Sequence, residues 1–174
     1  MEKKFELTDK FVFNTFGIKL FQIKCTKSFK YAKEGDLGGY VEKDENLDQE
    51  SDAWVSGNAW VYGNAQVSGN AWVSGNARVY GNARVSGDAW VSGNADIEND
   101  NNHCGFDCFG SCNRHTHAYL TKDNKVEITC GCFRGSIEEF EKKVEGTHSG
   151  TIYEKQYKAI INVIKIKFGL TDLI

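Results

Sequence analysis

The residues best equipped for chemistry crowd into one stretch of the chain: His103, Cys104, Cys108, Cys112, His115, His117, Cys130 and Cys132. Five thiols and three imidazoles within 30 residues are donors enough for a tetrahedral zinc set. Their spacing works against it. Cys104-x3-Cys108-x3-Cys112 lacks the two-residue gap of a zinc knuckle. Cys130-x-Cys132 on an extended strand would send both side chains to one face, as core residues do. Free cysteine packs readily as a small hydrophobe. Buried thiols are therefore the favoured reading, with structural zinc, or a disulfide formed under oxidation, as the alternatives. Cys25 and His148 stand apart and read as structural.

A second set pairs aromatic rings with cations: Trp60, Tyr62, Arg78, Tyr80 and Arg84. Aromatic faces stack bases, and arginines pair with phosphates. A net charge of −3 and only two arginines in this region argue against nucleic acid, whose backbone calls for a strongly basic face. The set suffices for one small anionic nucleotide.

What positions the second set is a repeat. From Ala53 the sequence reads AWVSGN, AWVYGN, AQVSGN, AWVSGN, ARVYGN, ARVSGD, AWVSGN and ADIEND, eight hexads ending at Asp100. A small residue, an aliphatic two positions later and a Gly-Asn pair at a period of six are the marks of a parallel β-helix. Alternation turns each alanine and valine inward and sends Trp54, Ser56 and their copies outward. Gly57-Asn58 and its copies turn the corners, because glycine and asparagine tolerate left-handed backbone. Residues 53–70 and 71–88 agree at 15 of 18 positions, so three hexads make one coil. At about 4.8 Å per coil, the prism would be only about 13 Å tall, and its ends need caps.

Stacking coils bring residues 18 apart into columns. Trp54, Trp72 and Trp90 form one, Trp60, Arg78 and Asp96 a second, Gln66 and Arg84 a third, with Tyr62 and Tyr80 beside the second. Three tryptophans expose roughly 450–750 Å², a patch that monomers seldom leave bare. A symmetry mate, the chain's own terminal segments or a foreign partner must cover it.

The period resembles that of the left-handed β-helix of the hexapeptide-repeat superfamily, and the hand of the helix is implied by that resemblance. So is a tendency to trimerise. The superfamily's acyltransferases need a histidine base on a coil or its loop, and its γ-carbonic-anhydrase-like members hold a metal with coil histidines. Residues 1–102 contain no histidine, so catalysis of either kind is not expected unless His103, His115 or His117 reaches the prism.

The flanks differ in composition. Phe11-Val12-Phe13 and Ile18–Ile23 alternate apolar residues about a turn near Asn14–Gly17 and predict a hairpin. In GDLGGYVEKDENL, Val41 and Leu47 lie six apart and predict a degenerate first coil, with the acidic run from Glu42 to Asp52 as a solvated rim. Beyond Asn99–Asn102, strands are expected near 116–121 and 125–129, about a turn at Asp123-Asn124. Ser136–Glu139 is a capping box opening a helix that Gly146 should stop. Thr151–Glu154 opens a second helix, which carries a lysine face, residues 154–167 summing to +3.

The chain of 174 residues has 18 glycines and no proline, where roughly eight or nine prolines would be average. Seven of the glycines are hexad corners. No apolar run is long enough to cross a membrane, and the lysine-bearing start lacks the apolar region of a signal peptide. Cytoplasmic thiols are thus expected.

Lys33-Glu-Gly-Asp-Leu-Gly-Gly-Tyr40 with Glu45-Asn-Leu47, the hexads, Phe109-Gly-Ser111, Asn113-Arg114, Cys130-Gly-Cys-Phe133, Gly135 and Glu138-Glu-Phe140 together resemble phage and prophage repeat proteins of Gram-positive bacteria. That family implies context more than mechanism. The sequence thus predicts a mainly β protein: an N-terminal hairpin and capping coil (1–52), a short left-handed parallel β-helix (53–100) and a small α+β domain (101–174). The functional expectation is a non-enzymatic binding protein, a dimer or trimer, that inhibits a host defence component by protein contact or by sequestering a nucleotide signal. A virion accessory role and a divergent acyltransferase are the alternatives.

Overall fold

The structure, a computed structural model, describes residues 3–170. It divides into two units, Met1–Asp100 and Asn101–Ile174. In the first, β1 (Phe5–Phe13) and β2 (Lys19–Cys25) form the expected antiparallel hairpin, with Phe13 opposite Lys19. Its turn is held by the Asn14 carboxamide oxygen, which accepts from the backbone N–H groups of Phe16 and Ile18, both at 2.9 Å. Strand β3 (Leu37–Val41) pairs antiparallel with β2 and parallel with the coil below.

The hexads supply two-residue strands: β4 (Trp54–Val55), β5 (Trp60–Val61), β6 (Gln66–Val67), β7 (Trp72–Val73), β8 (Arg78–Val79), β9 (Arg84–Val85), β10 (Trp90–Val91) and β11 (Asp96–Ile97). They stack in parallel into three faces: β3-β5-β8-β11, β4-β7-β10 and β6-β9. Every hexad alanine and every valine, with Ile97, is buried. One amide per corner bonds the coil beneath, as from Asn58 N–H to the Gly75 carbonyl at 2.9 Å. The corner glycines are required twice over. Gly75 has φ +68, and a Cβ there would come within 2.8 Å of the Gly93 nitrogen.

The degenerate coil is present, with Val41 opposite Val61 and Leu47 opposite Val67. Its register is offset by twenty residues, whereas Val55 sits opposite Val73, eighteen away. Two extra residues therefore bulge from the corner between Leu47 and Val55. The acidic rim is only partly solvated. Asn46 is fully buried and donates to the Gly63 and Ala65 carbonyls, while the Glu42 carboxylate accepts from Gly63 N–H at 2.7 Å. Because β3 bonds both the hairpin and β5, residues 1–52 and 53–100 form one unit.

In the second unit, β12 (His103–Phe109), β13 (Arg114–Leu120), β14 (Val126–Cys130) and β15 (Phe133–Ser136) form an antiparallel meander. Helices α1 (Ile137–His148) and α2 (Ile152–Lys167) cover one face, where Ala118, Ile128, Phe140, Tyr157, Ile161 and Ile164 make the core. The sequence missed β12 and β15, whose apolar alternation is broken by cysteines and glycines. Ser136 caps α1 as expected, accepting from Glu139 N–H. Gly146 does not stop the helix, which runs to His148. The left-handed residue after it is Gly150, φ +75.

Candidate functional site

The tryptophan column exists as predicted, with Trp54, Trp72 and Trp90 in register. It is not a bare patch. The loop between β2 and β3 lays Phe29 against Trp54, ring centroids 5.4 Å apart, and Tyr31 against Trp72, also at 5.4 Å. Tyr31 is tied down by its hydroxyl, which donates to the Asn70 carbonyl at 3.1 Å. Trp72 turns its indole N–H to the Ser56 hydroxyl at 2.8 Å. Exposure along the column rises from 3% at Trp54 to 42% at Trp90. The signal in sequence was the pair Phe29 and Tyr31, two apart, which an extended segment turns to one side.

The second column uses most of its chemistry internally. The Arg78 guanidinium lies 5.0 Å above the Trp60 ring. Tyr62 and Tyr80 stack at 5.1 Å with planes 8° apart, and the Tyr80 hydroxyl donates to Asp96 at 3.3 Å. Burial, reinforced by the Asp96 and Glu98 charges, pushes the Tyr80 phenol up to about 12; burial raises Tyr62 as well. A nucleotide would have to displace these contacts. Arg84 is exposed on the third face, in register with Gln66.

Two features escaped the sequence reading. Phe11, Phe13 and Phe16 on the hairpin and Leu37 on β3 are exposed, Phe16 to 79%. The Lys19 ammonium sits 4.0 Å over Phe11 and 4.7 Å over Phe21. Strand β1 is an edge strand of its sheet. In addition, Lys4 is buried, and its ammonium donates to the carbonyls of Asp48, Ser51 and Ala53 at 2.6, 2.6 and 2.8 Å. Gln49 completes the junction, accepting from Lys4 and Phe5 N–H groups and donating to the Phe5 carbonyl. The extra-long corner is thus closed by the N-terminal strand. Desolvation pushes the Lys4 ammonium down to about 8.

The Cys/His set is divided by the sheet. His103 pairs with Tyr119, and Gly105 with His117, placing His103, His117 and Tyr119 on one face; His103 Nδ1 and His117 Nε2 are 2.9 Å apart. His115 hydrogen-bonds Asp107. Cys104 and Cys130 belong to the opposite face, against the helices, where burial raises the Cys104 thiol. Cys108, in the β12 bulge at φ +62, and Cys112, in the turn after β12, are exposed. Cys130 and Cys132 do not point the same way. Gly131, at φ +58, turns the chain between β14 and β15, so that Cys130 is buried and Cys132 exposed. Among the described residues, no three His, Cys, Asp or Glu side chains converge as a metal would require. Cys25 is buried, its thiol 3.1 Å from the Lys27 carbonyl, and His148 stacks on Tyr157 at 5.6 Å. No helix among the described residues is long and apolar enough to cross a membrane.

Compared with known proteins, the hexads match the family model described as YdcK Beta solenoid repeat at residues 53–69, 65–78 and 77–93. No curated protein matches the chain. The matched stretch is the stack of coils itself, and the flanks lie outside it. The protein is a β-solenoid repeat protein, with coils similar to the YdcK repeat and a small α+β unit following them.

Proposed function

We propose that this is a non-enzymatic binding protein that contacts a protein partner through the aromatic hairpin and self-associates through its tryptophan column, whose Trp90 is 42% exposed. One observation carries the reading: three large apolar side chains of the hairpin, Phe11, Phe13 and Phe16, stand exposed on and next to the edge strand β1. Exposed apolar clusters of this kind mark contact surfaces, and an edge strand offers unpaired backbone groups to a partner. Sequestration of a nucleotide is the weaker form of the proposal, because Trp60, Tyr62, Arg78 and Tyr80 already engage one another or Asp96.

The resemblance in the 33–47 segment and in the Cys130–Phe133 module supports a phage or prophage origin. A binding protein of that origin, working in the cytoplasm of a bacterial host, would act on a host defence component. Purification from host lysate followed by mass spectrometry tests this. A stoichiometric host defence protein supports the proposal, whereas capsid or tail peptides would replace it with an assembly role. Acyl-CoA turnover abolished by changing His103, His115 or His117 would overturn the non-enzymatic reading.

A further inference from the structure

A cleft of about 200 Å³ opens in the second unit, between the Cys132 turn, Arg114 at the start of β13, and α1. Its floor is apolar. Phe133 and Phe140 lie 5.0 Å apart, Phe140 meets Tyr157 at 5.5 Å, and His148, which also lines the cleft, stacks on Tyr157. Its charge is one-sided. Arg114 and Lys143 line it, and no aspartate or glutamate does.

These two cations differ from Lys158 and Lys165 of α2. Lys158 is paired with Glu145 and Glu154, and Lys165 with Glu141. Among the described residues, Arg114 and Lys143 enter no ion pair. The Arg114 side chain is seated by Gly131, since a Cβ at that position would come within 2.3 Å of its Nη1. The glycine corner thus lets a guanidinium lie flat against the turn at the cleft. Two uncompensated cations beside an aromatic floor are complementary to an anion that carries a flat apolar body.

We propose that the cleft binds a small aromatic carboxylate. A cavity of about 150 Å³ accepts benzene, and sites for drug-sized ligands begin at about 300 Å³. The space therefore fits one ring and one small head group. A guanidinium receives a carboxylate through two parallel hydrogen bonds, with Lys143 adding a point charge. Inorganic phosphate would satisfy the cations but leave the aromatic floor unfilled. This site is independent of the hairpin surface.

The test is a titration of the full chain with benzoate, followed by amide chemical shifts, with benzyl alcohol and inorganic phosphate as controls. Benzoate is expected to shift residues of the β12–β13 turn and of α1 from Phe140 to His148. Benzyl alcohol and phosphate should bind at least tenfold more weakly. R114Q should weaken benzoate at least tenfold and K143Q about threefold, both at exposed positions and with the remaining amide spectrum unchanged. Absence of benzoate shifts in the cleft at millimolar concentration would overturn the proposal. So would equal binding of benzyl alcohol, or unaltered affinity in both variants.

Discussion

Phe29 and Trp54 meet in a T-shaped contact, ring centroids 5.4 Å apart and planes at 70°, and this contact closes the first rung of the tryptophan column from within the chain. The three tryptophans are therefore not equivalent, although their hexads are identical. W54A removes a buried ring and should destabilise the protein by about 3 kcal/mol or more, leaving its mass unchanged. W90S removes a ring that is 42% exposed and packs on Trp72, and should cost less stability than W54A, while lowering the mass seen by light scattering. An unaltered mass for W90S contradicts self-association through the column.

Lys4 closes a corner that is two residues too long for the coil. K4A leaves three buried carbonyls without their donor and should cost about 2–4 kcal/mol in denaturant melts. The pH dependence has a definite sign. With the folded ammonium pushed down to about 8 from its ordinary 10.5, the unfolded chain holds the extra proton between those values, so stability rises with pH across that window. Wild type should gain on K4M between pH 8 and 10.5; a constant difference would contradict the burial of the charge.

Tyr80 gives the opposite sign. Its phenol is raised to about 12 by burial and Asp96, so its contribution is complete below pH 10 and is lost as pH rises towards 12. A near-ultraviolet absorbance titration of Y80F should lack one late-ionising phenol. Loss of an early one instead would place Tyr80 in solvent.

The corners are the most sequence-determined part of the fold. G75A forces a side chain into φ +68 and towards the Gly93 backbone, and should cost roughly 1–3 kcal/mol. Near-neutral G75A melts would show that the coils can part to admit a methyl group.

The coil stack was legible because each hexad repeats the same burial, valine and alanine in and the aromatic out, and the eighteen-residue match fixes which side chains stack. The hairpin and the caps of α1 and α2 were legible for the same local reasons. What the sequence did not reveal depends on contacts distant along the chain. Phe29 over Trp54, Lys4 among the carbonyls of Asp48, Ser51 and Ala53, and Arg114 on Gly131 join segments with no shared period. Cys130 and Cys132 were misread because alternation was assumed to continue through a glycine that turns the chain at φ +58. Gly146 was misread because a helix with an apolar face packed on a core tolerates the roughly 1 kcal/mol of one internal glycine.

The central claim is that the hairpin phenylalanines are the contact surface. Replacing Phe13 and Phe16 together with serine touches two exposed rings, 59% and 79% accessible, and should leave the melting transition in place. Quantitative capture from host lysate with wild type and with the F13S/F16S double variant is the direct measurement. The account predicts one stoichiometric partner with wild type and at least tenfold less of it with the variant. Equal recovery of that partner by both proteins would contradict it.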